Sequence, residues 1–271
     1  MGIVNVNDDS FSGDGTLDFD QAIHQARAQA AAGADIIDVG AESARTNRPA
    51  ISVDEELRRL HGFVERWEAV TTGLSPRDSE QIWPPVLSVN TWRPEAVAGI
   101  LTSGKVEIIN DMSALPNDRN ARLCAENGAA LLIMHSVGEP KVPHLTQRWD
   151  DVMAEMERFF AEKIALAIAA GLPAESIILD PGIDFAKQRE DNLRVYRDLA
   201  RLRKFATPVL VPVSRKTVIG EVLDLLDPLD RDAGTVACIS ACMTRGAEIF
   251  RVHHVAAAWE SIRALQAVMH G

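Results

Sequence analysis

Polar and ionisable side chains stand at eight points of the sequence where a short apolar run stops. These residues are Asn5, Asp38, Asn90, Asn110, His135, Asp180, the run Ser214-Arg215-Lys216, and Arg251 with His253. Amides and carboxylates can pair with the edge of a planar heterocycle, whereas the basic side chains, joined here by Arg45, can bind an anionic group. The set therefore indicates a ligand that contains both a hydrogen-bonding ring and a separate anionic part.

Each of these positions also has a simpler structural explanation. Asp and Asn often follow strands because their side chains stabilise turns, and basic residues at a strand end are often only solvated. A single position favours that simpler explanation. Recurrence at eight strand ends favours a binding site.

The elements that must position these residues alternate along the chain. Eight apolar runs are predicted strands, namely Met1–Val6, Asp35–Val39, Val86–Val89, Glu107–Asn110, Ala130–Met134, Ser176–Leu179, Val209–Val213 and Ile249–Val252. Helical periodicity predicts helices at residues 18–33, 53–69, 94–103, 118–127, 148–171, 190–203, 218–227 with 232–246, and 255–269. Most strands are continuously apolar, which is typical of parallel strands buried on both faces.

Eight strand–helix units predict a single-domain α/β fold, a (β/α)8 TIM barrel that spans residues 1–271. A doubly wound open sheet would show the same alternation, but eight units rather than five or six favour a closed barrel. Active sites of such barrels lie at the carboxyl ends of the strands, where the polar residues stand. The Pro-rich stretch Thr71–Pro85 is predicted to be a surface loop at the opposite end.

Composition limits the partners and the cellular setting. The net charge of −11 argues against binding to nucleic acid or to an anionic membrane surface. No apolar run approaches the length that spans a bilayer, and the first residues lack the features of a signal peptide. Three cysteines are too few for a disulfide framework and too loosely spaced for a zinc site, so we expect a cytoplasmic protein.

Seven motifs carry a resemblance to a known family. They are MGIVNVNDDSFS, IIDVGAESAR, EIINDMSAL, LLIMH, IILDPGIDFAK, VPVSRKTVIG and IFRVHHV. In order and spacing they resemble the pterin-binding barrel of the dihydropteroate synthase family. The resemblance implies a transferase of folate biosynthesis, in which the amine of p-aminobenzoate displaces pyrophosphate from 6-hydroxymethyl-7,8-dihydropterin pyrophosphate and gives 7,8-dihydropteroate.

The resemblance also implies where the pterin and the pyrophosphate bind. Asp180 would accept from the ring amino group and the adjacent N–H, and Lys216 would donate to the ring carbonyl and N5. The implied pterin-binding residues are Asn90, Asn110, Asp180 and Lys216. The implied pyrophosphate-binding residues are Asn5, Arg45, Arg251 and His253, with Mg²⁺ bridging Asn5 and the phosphates. The implied catalytic residues are Lys216, Asn90, Arg251 and His253.

The third implied subsite binds p-aminobenzoate and forms when two loops close over the pterin. The residues that the resemblance places there are Phe11, Ser43, Arg45, Ser214, Arg215 and Thr217. Closure would exclude water from a reactive pterin cation. Barrels of the family pair through outer helices, so we expect a homodimer formed through residues 232–246 and 255–269.

Several positions depart from the family pattern. The departures are Asn90 for Asp, Ala44 for Thr, Thr46 for Pro, Asp184 and Ala186 for two glycines, Pro212 for Gly, and His254 for Asp. Asp184 and Ala186 are expected to change the shape beside the pterin. The main pterin and anion contacts remain, whereas groups that tune catalysis differ.

This pattern fits a divergent synthase, and we favour that interpretation. The alternative is a paralogue that binds a pterin but has lost or changed the synthase activity. A folate-binding methyltransferase subunit shares the barrel, but no motif for a corrinoid partner is present. A non-catalytic binding protein would have no need for Asn5, Arg251 and His253.

Overall fold

The computed structural model describes residues 1–8, 15–43, 49–142, 144 and 146–270. Within these residues the chain forms eight strands that pair in parallel. The strands are β1 (Gly2–Asn5), β2 (Ile36–Gly40), β3 (Val86–Asn90), β4 (Ile108–Asp111), β5 (Ala130–Met134), β6 (Ile177–Asp180), β7 (Leu210–Val211) and β8 (Ile249–Phe250).

Helices connect the strands and cover the outside of the sheet. In the described part of the chain the α-helices are α1 (Phe19–Ala31), α2 (Val53–Val64), α3 (Pro94–Leu101), α4 (Arg119–Asn127), α5 (Val152–Ala169), α6 (Arg189–Asp198), α7 (Thr217–Leu223), α8 (Asp232–Met243) and α9 (Val255–His270). Short 3-10 helices lie at Trp67–Val70, Ala174–Ser176, Leu199–Phe205 and Pro228–Arg231. The hydroxyl of Ser52 caps α2 by accepting from the N–H of Glu55 at 3.2 Å.

The strands close into a ring. Strands β1 to β6 pair in chain order, and β7 pairs with β8. Single bridges between Leu179 and Val209 and between Gly2 and Val252 join the two sheets at both edges. At the second seam the N–H of Val252 donates to the carbonyl of Met1 at 2.9 Å. The predicted (β/α)8 barrel is therefore confirmed, and the open sheet is excluded.

The barrel interior changes from apolar to polar along the strands. Near the amino ends the buried interior residues include Ile36, Ile108, Leu132, Ile178 and Leu210. Side chains of a strand alternate between its two faces, so residues two positions apart share a face. Two residues after Ile36, Ile108 and Ile178 the interior positions hold Asp38, Asn110 and Asp180. The polar groups are thus collected at the carboxyl end of the barrel.

The stretch Thr71–Pro85 lies at the amino end of the barrel, as predicted. The amide of Gln81 donates to the carbonyls of Ala30 and Ala34 at 2.9 and 3.0 Å. The guanidinium of Arg77 lies 3.7 Å from the ring centroid of Trp259 on α9. The stretch therefore fastens α1 and α9 together, away from the polar strand ends.

Two predicted boundaries moved for local reasons. Strand β7 ends at Val211 rather than at Val213 because Pro212 has no N–H to donate to a neighbouring strand. Helix α5 begins at Val152 rather than near residue 148, since the carboxylate of Asp151 caps it. No helix in the described ranges combines the length and the apolar character needed to cross a membrane.

Candidate active site

The carboxylate of Asp38 forms the centre of the polar strand ends. It is fully buried, and its Oδ1 accepts from the hydroxyl of Ser88 at 2.6 Å. Its Oδ2 accepts from Asn110 Nδ2 at 3.0 Å and from Arg251 Nε at 2.7 Å. Because one charged acceptor contacts β3, β4 and the residue after β8, Asp38 fixes the orientation of two predicted ligand-binding side chains.

Asp38 stands at a predicted strand end, and the sequence alone indicates no role for it. The available signal was a carboxylate inside the apolar run IIDV, since a charged residue in a buried strand needs a partner. That partner, Arg251, lies 213 residues further along the chain.

Asn90 and Asn110 occupy neighbouring positions at this end of the barrel. They are Cα partners in the β3–β4 register, and Gly40 is the partner of Asn90 on β2. Asn110 is buried, whereas Asn90 is half-buried. The structure therefore brings the two predicted amides to the same level of the barrel.

Asp180 stands at the end of β6 and is 4% exposed. Burial raises the pKa of its carboxyl to about 6, and the N–H of Gly182, 2.7 Å from Oδ1, opposes this rise. The positive charge of Lys216 also opposes it. Asp180 is therefore a buried carboxylate that a ligand with two adjacent donors would stabilise in its charged form.

Lys216 follows β7 and reaches across to the β6–α6 loop. Its Nζ donates to the carbonyl of Ile183 at 2.9 Å and lies 5.2 Å from the ring centroid of Phe185. Burial lowers the pKa of the Lys216 amine, while the carboxylates of Asp184 and Asp180 raise it. The structure thus places Lys216 within the electrostatic reach of Asp180, and their shared pterin slot stays a prediction.

A second lysine, Lys187, supports the loop that carries Asp180. Its Nζ contacts the Nδ1 of His135 at 2.9 Å and donates to the carbonyls of His135, Gly182 and Phe185 at 3.2, 3.0 and 3.1 Å. Burial lowers the pKa of Lys187 to about 7 and, with the nearby lysine, that of His135 to about 2. The His135 ring is therefore neutral, and its Nδ1 accepts from Lys187.

Three of the predicted anion-binding residues, Asn5, Arg251 and His253, lie around the seam between β8 and β1. His253 Nδ1 is 2.8 Å from the hydroxyl of Ser214, which also accepts from the His253 N–H at 3.2 Å. Asn5 ends β1, the strand bridged to the segment that carries Arg251. The structure thus collects these predicted residues on one side of the barrel mouth.

Arg215 differs from the other basic residues at the barrel mouth because its guanidinium pairs with α8. Its Nε and Nη2 donate to the two carboxylate oxygens of Asp232 at 2.8 and 3.0 Å. Its backbone has a φ of 57°, in the left-handed region, and its N–H donates to the hydroxyl of Thr235 at 3.0 Å. Its role toward p-aminobenzoate stays a prediction.

Asp184 serves a purpose that the sequence did not indicate. Its carboxylate accepts from the N–H of Thr217 at 2.6 Å and from the N–H of Val218 at 3.4 Å. It also accepts from Asn192 Nδ2 at 3.3 Å. The aspartate in the family's glycine position therefore joins the β6–α6 loop to α7. Its negative charge is partly balanced by the N–H groups at the start of that helix.

Three further departures have visible local contacts. The carbonyl of Ala186 accepts from Trp149 Nε1 at 2.9 Å, and the Ala186 backbone keeps the left-handed φ of 51°. Pro212 ends β7 within a turn in which Val213 N donates to Val211 O at 3.0 Å. His254 lies 3.8 Å from Asp232.

Some predicted site residues fall outside the described ranges. They are Phe11 and Arg45, together with the loop departures Ala44 and Thr46. Ser43 is described, and it is buried at the start of the β2–α2 loop.

Comparisons with known proteins identify the family of this chain. The family of pterin binding enzymes matches residues 1–253. The dihydropteroate synthase of Escherichia coli (strain K12) is 37% identical over 270 residues, which cover 99% of this chain and 91% of that protein.

Solved structures give the same result. The dihydropteroate synthase of Yersinia pestis, in complex with a sulfonamide drug, superposes with a TM-score of 0.87 at 33% identity and covers 99% of this chain and 93% of that one. The dihydropteroate synthase of Xanthomonas albilineans, in complex with 7,8-dihydropteroate, superposes with a TM-score of 0.84 at 35% identity and covers 100% and 93%.

The relatives confirm the predicted transferase of folate biosynthesis and give no support to the paralogue alternative. Full-length coverage, shared architecture and the retained polar strand ends all point to one family. The chain therefore belongs to the pterin-binding enzymes and, within them, to the dihydropteroate synthases.

Proposed function

We propose that this chain joins 6-hydroxymethyl-7,8-dihydropterin pyrophosphate and p-aminobenzoate to give 7,8-dihydropteroate and pyrophosphate. The observation that carries the proposal is the arrangement around Asp38, which holds Asn110 and Arg251 at the mouth of a dihydropteroate synthase barrel. The C–O bond to pyrophosphate breaks and its electron pair leaves with the pyrophosphate. The amine nitrogen then forms the new C–N bond and releases a proton.

The chain's own residues fix the pterin in this scheme. The carboxylate of Asp180 accepts from the ring amino group and the adjacent N–H, and the Asn110 amide binds neighbouring ring nitrogens. Lys216 donates to the ring carbonyl and N5. Support comes from the burial of Asp180 and from the hydrogen bond between Asn110 and Asp38. Both restrict the side chains before the pterin arrives, so binding costs less conformational entropy.

The leaving pyrophosphate is bound by Asn5, Arg251 and His253, together with Arg45. The guanidinium of Arg251 is oriented by Asp38, and the ring of His253 by Ser214. Preorganised cations of this kind stabilise the charge that develops on a leaving group. Ser43, Arg215 and Thr217, with Phe11 and Ser214, are proposed to receive p-aminobenzoate.

A magnesium ion fits this donor set only if the substrate supplies most of its ligands. No group of three His, Cys, Asp or Glu side chains suited to a metal is found in the ranges that the structure describes. Mg²⁺ is commonly bound by one or two protein oxygens with phosphate and water completing its shell. We propose that the Asn5 amide oxygen holds the ion, which would neutralise charge on the pyrophosphate.

The direct test is the release of pyrophosphate from the full chain when both substrates and Mg²⁺ are supplied. Release that requires both organic substrates and yields 7,8-dihydropteroate is the expected result. Reactions without p-aminobenzoate are the control for hydrolysis of the pterin substrate. Pterin binding without any dihydropteroate formation would overturn the proposed function.

We also propose that the protein is a cytoplasmic homodimer. The three cysteines are free, which fits a reducing compartment. Two exposed apolar side chains lie on α9, within the predicted interface, where Val268 and Met269 are 83% and 47% exposed. Exposed apolar side chains are commonly buried where two protein chains meet.

A dimer has a simple expected outcome in sedimentation. We expect a species of twice 29.6 kDa at micromolar concentration. Val268→Lys should shift the distribution toward the monomer, because a charge would enter the apolar interface. Ile82→Lys is the matched control, since Ile82 is exposed in the stretch Thr71–Pro85. A monomer in the unsubstituted protein would contradict the proposal.

A further inference from the structure

A buried group of four charged side chains and one hydroxyl lies beside the ends of β2 and β3. Its members are Glu42, Glu56, Thr91, Arg93 and Lys141, here called the Glu42 cluster. The side chains of Glu42, Glu56 and Lys141 are 3%, 1% and 9% exposed. Arg93 donates to both carboxylates, with a distance of 2.6 Å to Glu42, and Thr91 donates to Glu56 at 2.6 Å. Two cations and two anions make the cluster neutral overall.

The Glu42 carboxylate contacts both ends of the β2–α2 loop. Glu42 directly precedes Ser43, and its Oε1 accepts from the N–H of Ile51 at 3.2 Å. Lys141, in the connection between β5 and α5, donates from Nζ to the same Oε1 at 2.9 Å and to the Ser43 carbonyl at 3.0 Å. Lys141 therefore binds the backbone at Ser43 directly. Through the Glu42 carboxylate it is also connected to the backbone at Ile51.

Two features of Lys141 indicate more than ordinary packing. Its backbone φ is 65°, in the left-handed region, which is unfavourable for a residue with a Cβ. Its ammonium group is almost removed from water, which costs free energy unless the charge is paired. Unfavourable conformations that surrounding contacts maintain are concentrated at functional sites.

We propose that Lys141 is a positioning residue that sets the place of Ser43 in the p-aminobenzoate subsite. This inference rests on the proposed function, because Ser43 is the described residue of the β2–α2 loop assigned to that substrate. Lys141 does not touch the reacting atoms and acts through its contacts with Ser43 and Glu42. The pterin residues Asp180 and Lys216 contact different partners, so pterin binding does not depend on the Glu42 cluster.

The test compares Lys141→Met with Lys141→Arg in the full chain. For Lys141→Met we expect the KM for p-aminobenzoate to rise by about 10- to 100-fold, since small misplacements of a binding group have effects of that order. Pterin affinity, measured by calorimetry without p-aminobenzoate, should stay unchanged. Lys141→Arg should have a KM for p-aminobenzoate close to that of the unsubstituted protein, because it keeps a cation beside Glu42.

Lys204→Met is the matched control. Lys204 is half exposed and pairs with Glu157 on the outside of the barrel, so its loss should change neither constant. A merely structural role for Lys141 would weaken pterin affinity and p-aminobenzoate binding together. That result, or an unchanged KM in Lys141→Met, would overturn the positioning role.

A second measurement does not depend on turnover. The N–H of Ile51 donates to Glu42, so its amide hydrogen exchange reports whether the loop end is held. Exchange at Ile51 should be faster in Lys141→Met and near normal in Lys141→Arg and Lys204→Met. Faster exchange in a protein without synthase turnover would overturn the proposed function and keep the positioning of the loop. Unchanged exchange would overturn the positioning.

Discussion

Replacing Asp180 with alanine is expected to weaken pterin binding by at least about 100-fold. Hydrogen bonds to a charged group contribute about 1.5–3 kcal/mol each, and the substitution removes the acceptor of two of them. The pterin's amino group and N–H would then face an apolar surface inside the barrel. Calorimetric titration with dihydropterin pyrophosphate measures the change, and equal affinity in both proteins would refute the assignment of the pterin slot.

The pH dependence of the same titration separates charge from shape. The Asp180 carboxyl has a pKa of about 6 in the free protein, above its ordinary value of 3.8. The charged form is the better acceptor, so affinity should be highest above pH 6 and decrease as the pH falls through about 6. Asp180→Asn keeps the shape of the side chain without the charge, and its weaker binding should lack this dependence. Thermal melts of each variant verify that the Gly182 turn still folds.

The second large expected effect is an increase in turnover when Asn90 is replaced. Asn90→Asp is expected to raise kcat by on the order of 10², because a single preorganised electrostatic contact to a charged transition state has effects of that size. The carboxylate would stand at the end of β3, beside Asn110, where a pterin cation would form. The stabilisation concerns the transition state more than the bound substrate, so kcat rather than KM should change.

The surroundings of residue 90 favour this gain. On the neighbouring strand β2, the charge of Asp38 is already paired with Arg251. A new carboxylate would therefore meet a partly neutralised neighbour and stay ionised at neutral pH.

Pyrophosphate release should be measured for the unsubstituted protein, Asn90→Asp and Asn90→Ala side by side. Alanine serves as the control that removes the amide without adding charge, and its kcat should fall below that of the unsubstituted protein. A gain in Asn90→Asp that appears only at high pH would show that the new carboxyl takes up a proton near neutrality. No gain at any pH would contradict a cation-stabilising role for this position.

The strands were predictable because each is a short apolar run bounded by polar residues. All eight predicted ranges agree with the structure to within about two residues at each end. Strand β7 ends two residues earlier than predicted because Pro212 interrupts its hydrogen bonding. The eight strand–helix units predicted a closed ring. The polar residues at the strand ends then predicted where the site lies.

Side-chain partners distant in sequence could not be predicted in the same way. The pairs Asp38–Arg251, Asp184–Thr217 and Lys187–His135 are separated by 213, 33 and 52 residues. Tertiary packing, rather than local periodicity, brings such groups together. For this reason the sequence did not indicate that the Asp184 carboxylate accepts from the N–H groups at the start of α7.

The seam between β8 and β1 has a consequence for the order in which this barrel can be completed during synthesis. The N–H of Val252, beyond the last strand, donates to the carbonyl of Met1, just before the first strand, at 2.9 Å. Until the ribosome has released the last strand, β1 lacks its second neighbour and the carboxylate of Asp38 lacks Arg251. A buried carboxylate without its cation is strongly destabilising. The nascent barrel therefore has to remain open and hydrated at its centre, and arrival of Arg251 both neutralises Asp38 and closes the ring.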